Sequence, residues 1–343
     1  MALTQNLVIG GVSCEPGEKH YQEVVIDSSN SLGTVVPLML VNGAHNGKTL
    51  CITAGMYGDE YPGIEAATRT FNKIQPKKLH GKLIILPVLN MASFQWRTVG
   101  SSPLDKKDLN RVFPGRPNGT VTERVAYFVM NEVMKNSDFH VDLRGGDTYE
   151  SHMTHTIMCR TGNSKLDKMC YDGVRAFGLE YVMIHDAGKE GATPGILLQE
   201  ATQQGFASIV SEIGIGLATY REEDIKLTEN CLLRLMKHLE MLEGPAESPP
   251  RSMKIMRESG RVVCSKGGIF YPSVKQAGFY FTTLLKKGQK VGEIRDLRGE
   301  VLEELHSPVD GVLHELLPKR VVFSGEPVVL VRTLEEPSKF FGG

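Results

Sequence analysis

The stretch CITAGMYGDEYPGIEAA, Cys51 to Ala67, runs from an apolar segment through a Gly-rich bend into a helix start. KTLCITAG, just upstream and through it, is β-branched and bounded by glycine, and it reads as a strand. GIEAATRTFNKI places Ile64, Ala67 and Phe71 on one helical face. A strand that turns through glycines into a helix is the repeating unit of an α/β fold. The bend also carries Tyr57, Asp59 and Glu60. It has the setting of a metal site, with a tyrosine where a histidine would be looked for.

The same alternation extends outward from this unit. Upstream, YQEVVID and TVVPLMLVNG read as strands in a hairpin-rich entry. Downstream, GKLIILPVLN is a short, fully apolar run, hence a buried strand. TERVAYFVMNEVMKNS reads as one helix with Thr122 as N-cap. DFHVDLRGG is a strand entering a Gly-rich loop, SKLDKMCYDGVRAFG a helix and EYVMIHD a strand. LLQEATQQG, FASIVSEIG and REEDIKLTENCLLRLMKHLEML continue as helix, strand and long amphipathic helix. The expected architecture is an α/β/α sandwich around a mixed central sheet over residues 1–245. EGPAESPPRS, around residues 243–252, is rich in Pro, Glu and Ser and reads as a linker. Beyond it the helix signal ends, and glycines punctuate short strands over 253–335: a small all-β, half-barrel module. LLKKGQKVGEI and HSPVDGVLHELL resemble the hammerhead turns of biotinyl and lipoyl carrier domains. No lysine stands in the SPVDG tip, so a structural cap is expected rather than a carrier.

The formal net charge of −1 over 343 residues argues against nucleic acid or an anionic membrane as partner. No run approaches the roughly 18 apolar residues of a membrane span. MALTQNLVIGG has no basic leader, so the expected location is cytoplasmic. The six cysteines are scattered without a C-x-x-C pair, which points to reduced, buried thiols and not to a zinc cluster.

Five motifs occur in order along the chain: GMYGDEYPG (Gly55–Gly63), DKKDLNRVFPG (Asp105–Gly115), TERVA (Thr122–Ala126), VDLRGGD (Val141–Asp147) and SEIG (Ser211–Gly214). Together they resemble the succinylglutamate desuccinylase/aspartoacylase family of the zinc carboxypeptidase clan, and the Gly-rich C-terminal module is also typical of it. The resemblance implies a carboxypeptidase-like sandwich and an N-acyl amino acid deacylase. In that family G-x-H-G-x-E and D-L-H supply His, Glu and His to zinc, which lowers the pKa of a bound water and polarises the scissile carbonyl. The resemblance makes Glu60 the carboxylate ligand, Asn110 and Arg111 the substrate-carboxylate pair, and Glu212 the general base. Arg97, in FQWRTVG, falls near a further family arginine. Tyr57 and Arg144, however, stand where the two histidines belong.

Those two substitutions change the chemistry. A phenol ionises near pH ~10 and must lose its proton before it can bind zinc. A guanidinium stays cationic and has no lone pair to give. Glu60 alone should not hold a metal. An arginine in the vacated space can instead pair with Glu60 through a charge-assisted bond, sparing a buried carboxylate the cost of standing alone. Asp59, Asp142, Asp147, His152 and His155 are close enough in sequence to raise the question of a rebuilt site. His152 and His155 stand three apart in ESHMTHTIM, and with THTIM read as a strand they would face opposite ways. Asp59 and Asp142 suit capping or orienting roles.

The expectation is therefore a pocket for a small carboxylate-bearing ligand, amino-acid-like or N-acylated, with no cofactor. Zinc would enter only if the site were rebuilt around Glu60. Arg144 and Glu212 are the expected catalytic residues. Asn110, Arg111, Arg97 and Tyr57 are the expected substrate-binding residues. A metal-free variant enzyme or pseudoenzyme leads. A metal-dependent amide hydrolase with an unusual ligand set is the alternative, and a purely structural protein is the weakest reading. Homo-oligomerisation stays open.

Overall fold

The computed structural model describes residues 5–27, 34–187, 193–216, 219–245, 253–274 and 283–337. The linker stretch from 246 to 252 lies outside the described residues.

The strand His45–Ala54 is exposed at its start and fully buried over its last five residues. It pairs in parallel with His80–Leu86 on one side and Phe139–Gly146 on the other, which covers both of its edges. Its apolar end therefore needs cover on both faces, and helices supply it. Tyr61–Lys73, Ser164–Phe177 and Glu222–His238 bury Ala67, Cys170, Phe177 and Leu232 in a core with Leu50, Ile52 and Val141. A second core gathers Cys51, Ile84 and Leu86 with Val125, Ala126 and Phe128 of the helix Val121–Phe128, and with Leu197 and Ala201 of Leu197–Gln203. This is the expected α/β/α sandwich.

The central sheet is mixed. Phe139–Gly146 pairs in parallel with Ser208–Ile215, which runs antiparallel to His155–Arg160. Tyr181–Asp186 continues in parallel, and Lys254–Val263 adds beside it, also parallel, after the linker. From there the sheet passes through Pro327–Glu335 and Gly311–Leu316 with antiparallel pairing. Gly268–Pro272, Lys290–Arg295, Val301–His306 and Val321–Val322 form a separate antiparallel sheet. Val262, Phe270, Ile294, Leu305 and Val329 fill the core between the C-terminal strands, and Tyr181 and Met183 of the central sheet join it. The C-terminal region is all-β, as expected. All six cysteines are buried and unpaired.

Two local expectations are corrected. The N-cap of Val121–Phe128 is Thr120, not Thr122; Glu123 Oε2 accepts the Thr120 N–H at 2.8 Å. Thr122 instead donates its N–H and hydroxyl to Asp105, at 3.0 and 2.7 Å. The helix is also not uniform: it passes into a π turn at Val129–Val133 and a 3-10 turn at Met134–Asn136. Among the described residues no helix is long and apolar enough to cross a membrane.

Candidate functional site

Three consecutive features of the Cys51–Ala67 stretch build the site. Gly55 turns the chain at φ +61, where a side chain would be strained, and directs it off the strand end. Gly58 lies against the Ser93 carbonyl, which a Cβ would approach to 2.2 Å. Glu60 then occupies the N-cap of Tyr61–Lys73 and is 1% exposed. Its carboxylate turns back into the bend rather than onto the helix, and Oε2 accepts the Tyr57 N–H at 3.1 Å.

Arg144 comes from the C-terminal end of Phe139–Gly146, the strand beside His45–Ala54, and its Nε donates to Glu60 Oε1 at 2.6 Å. The guanidinium lies over the Tyr57 ring, 4.5 Å from its centroid. This is the pairing the substitutions predict. The two side chains are only 11% and 1% exposed. Burial pushes the Glu60 carboxyl up, while Arg144 pulls it back down. Burial also works against the Arg144 charge, but Glu60 and Glu212 hold the guanidinium firmly cationic. The Tyr57 hydroxyl donates to Asp108 Oδ2 at 3.1 Å. Burial raises its pKa far above the ordinary phenol value, so the hydroxyl stays protonated.

These residues do not fit zinc. The phenol is neutral and occupied as a donor, and the guanidinium is a fixed positive charge bonded to the one carboxylate. Among the described residues no group of three or more His, Cys, Asp or Glu is arranged to hold a metal ion.

A cavity of about 660 Å³ opens beside the pair, and Tyr57, Asn110, Arg111, Arg144 and Glu212 all line it. Glu212 stands in Ser208–Ile215, directly opposite Arg144 on one neighbouring strand and His155 on the other. Among the described residues its buried Oε2 has no hydrogen-bond partner. Burial raises its pKa, against the pull of Arg144 and His152. Asn110 contributes less than its motif suggests: its Oδ1 accepts the Leu197 N–H at 3.1 Å, fixing the start of Leu197–Gln203, and its amino group is the donor that remains for a ligand. Arg97 is not brought in. It caps the short helix Met91–Trp96 in the left-handed region and is exposed, outside the cavity lining.

The orienting roles expected of the nearby acids are met. Asp59 Oδ2 accepts the N–H of Thr148 at 2.9 Å and also its hydroxyl, tying the bend to the loop that carries Asp147, Tyr149 and Glu150 into the cavity. Asp142 Oδ1 accepts the Thr53 hydroxyl at 2.6 Å. The two histidines do not face apart. Met153 and Thr154 separate two strands there, and the rings of His152 and His155 lie 6.3 Å apart, with His314 of the C-terminal region at 5.8 and 4.8 Å from them. Burial drives His155 down to about 3. His152 is also buried, but its bond to Glu150 and the nearby Glu212 carry it up to about 9. Asp108 was missed as a site residue. Its signal was the D-x-N turn within DLNR: Oδ1 accepts the Asn110 N–H at 2.8 Å, leaving Oδ2 for Tyr57.

Known proteins share this framework. N-alpha-acetyl-L-2,4-diaminobutyric acid deacetylase of Halomonas elongata is 28% identical over 227 residues, covering 65% of this chain and 64% of that protein, just under two thirds of the relative's length. The crystal structure of a succinylglutamate desuccinylase/aspartoacylase from Rhodobacter sphaeroides superposes with a TM-score of 0.81 at 23% identity, over 93% of this chain and 96% of the other. The product-bound ectoine utilization protein EutE (DoeB) from Ruegeria pomeroyi gives 0.82 at 21%, over 92% and 95%. At these identities the structures establish the fold. The family model of the succinylglutamate desuccinylase/aspartoacylase catalytic domain matches residues 46–239, more than half of the chain, and the chain belongs to that family.

Proposed function

We propose that the chain binds an amino-acid-type ligand through its carboxylate, at Arg111 and the amino group of Asn110, and that its reaction centre works without zinc. The observation that carries this reading is the buried Arg144–Glu60 bond at 2.6 Å, which supports a fixed cation standing in for the metal-binding histidine that the motif resemblance puts at this position. Arginine suits bidentate recognition of carboxylates, which supports the role of Arg111. Arg144 spends Nε on Glu60 and keeps further N–H donors for an oxyanion or carboxylate oxygen in the cavity. Glu212, desolvated and raised in pKa, is suited to move a proton at a ligand atom beside it. A guanidinium cannot generate hydroxide, so this pair favours ligation, isomerisation or elimination over amide hydrolysis. The name of the Halomonas relative supports an N-acyl amino acid or its amino acid as the ligand class.

One observation favours the alternative of a metal hydrolase with a rebuilt ligand set: among the described residues the buried His152 Nδ1 and His155 Nε2 have no hydrogen-bond partners. A single pair of measurements separates the two. Metal content of the purified protein is expected well below one ion per chain, with N-acetyl amino acid binding lost in Arg111→Ala. Stoichiometric zinc with chelator-sensitive deacylation would overturn the zinc-free reading. Tyr57→His combined with Arg144→His is expected to gain zinc binding that the wild type lacks.

A further inference from the structure

The cavity's charges, matched one by one, leave one group of each sign unanswered among the described residues. Arg144 is tied to Glu60. Asp186 accepts Arg160 Nε at 2.7 Å, and Glu150 lies 3.2 Å from His152 Nε2. Asp147 Oδ1 accepts the backbone N–H groups of Tyr149 and Glu150, at 2.6 and 2.9 Å. Arg111 donates to the carbonyl of Asn110 at 2.8 Å and meets no carboxylate. Glu212 Oε2 is buried with no donor at all. Arg144, its register neighbour, acts on it only through space, since Nε is committed elsewhere.

A buried acceptor without a donor is costly, and a ligand that supplies the donor recovers that cost on binding. An N-acylated amino acid with an uncharged side chain answers only half of the cavity. Its carboxylate suits Arg111, but its amide nitrogen offers Glu212 one N–H and no charge. An ammonium offers three N–H groups and the opposite charge.

Resting on the reading that the cavity takes a carboxylate ligand, we propose that this ligand is a zwitterion, with its carboxylate against Arg111 and an ammonium group against Glu212 Oε2. A free α-amino acid has this chemistry. So does an N-acylated amino acid with a second amine on its side chain.

Three probes of one carbon skeleton separate these cases by calorimetry: L-norvaline, N-acetyl-L-norvaline and Nα-acetyl-L-ornithine. At least one ammonium-bearing probe is expected to bind about tenfold or more tighter than N-acetyl-L-norvaline, the scale of one charge-assisted hydrogen bond. Which one wins reports whether the amine sits on the α-carbon or the side chain. Glu212→Gln is expected to erase the preference, bringing the ammonium-bearing probes to the affinity that the same variant shows for N-acetyl-L-norvaline. If N-acetyl-L-norvaline binds as tightly as both ammonium probes, the zwitterion is overturned and the carboxylate reading stands. If none of the three binds, the carboxylate reading itself fails, and the zwitterion with it.

Discussion

Arg144→Met would keep most of the arginine stem but remove the charge from beside Glu60. Two buried partners of opposite sign stabilise little against an apolar replacement of both, yet removing one strands the other. Glu60 would retain only the Tyr57 N–H. The expected loss is about 3–5 kcal/mol in urea unfolding. It should grow as pH rises, because a carboxyl raised by burial is stabilising while protonated and costs stability as it is forced to ionise. Adding Glu60→Gln should recover most of the loss and flatten its pH dependence. If the double variant is no more stable than Arg144→Met alone, the ion pair is not what holds this site. The participants in the pair were legible in the sequence because the resemblance fixed both positions and the chemistry of each side chain fixed the sign. The anchor of Tyr57 was not, since the hydroxyl's partner lies 51 residues away.

Between strands, a second buried polar chain ties the elements under the site. Thr53, on His45–Ala54, gives its hydroxyl proton to Asp142, so its oxygen is left to accept from His140 Nε2–H at 2.9 Å. His140 Nδ1 then accepts the Ser208 hydroxyl at 2.7 Å, which joins three neighbouring strands through one neutral imidazole. Full burial lowers the His140 pKa from 6.5 to about 3. A group lowered by folding contributes stability above its unfolded value and loses it as pH falls toward its folded value. Unfolding free energy should therefore decline between about pH 6.5 and pH 3, with His140 contributing a slope approaching ~1.4 kcal/mol per pH unit. His140→Gln keeps one donor and one acceptor but does not titrate, so its denaturation midpoint should vary less over pH 4–6.5 whatever its absolute stability. An unchanged slope would show that this histidine does not set the acid limit. The strands and helices themselves were readable from apolar runs and 3.6-residue periodicity. The facing of His152 and His155 was not: a two-residue break between strands resets the alternation, and nothing in ESHMTHTIM marks it.

Across the whole molecule, the linker stands out in composition, but the chain beyond it rejoins the central sheet. Lys254–Val263 lies parallel to Tyr181–Asp186, a pairing of Tyr181 with Lys254 that no local pattern announces. Gly311–Leu316 pairs with Ser151–His152, and the Met153 N–H donates to the His314 carbonyl at 2.9 Å. The C-terminal strands thus brace the segment just after Asp147, Tyr149 and Glu150, which stand in the cavity wall. A chain ended after residue 245 would uncover the edge of Tyr181–Asp186 and the buried faces of Tyr181, Met183 and Met153. An exposed apolar edge is a template for intermolecular pairing. The truncated protein is expected to aggregate on size-exclusion chromatography, and any soluble fraction to show faster amide exchange over residues 151–157 and 181–186. Ligand affinity should fall with it, because the 147–150 loop would keep its tie to Asp59 but lose its support from behind. A monomeric truncation with unchanged exchange and affinity would instead make residues 1–245 a unit that folds alone, with the β module as an appended cap. The continuous ladder through Lys254–Val263 argues for the first outcome, since those hydrogen bonds must be satisfied by something, and in this chain the C-terminal strand is what satisfies them.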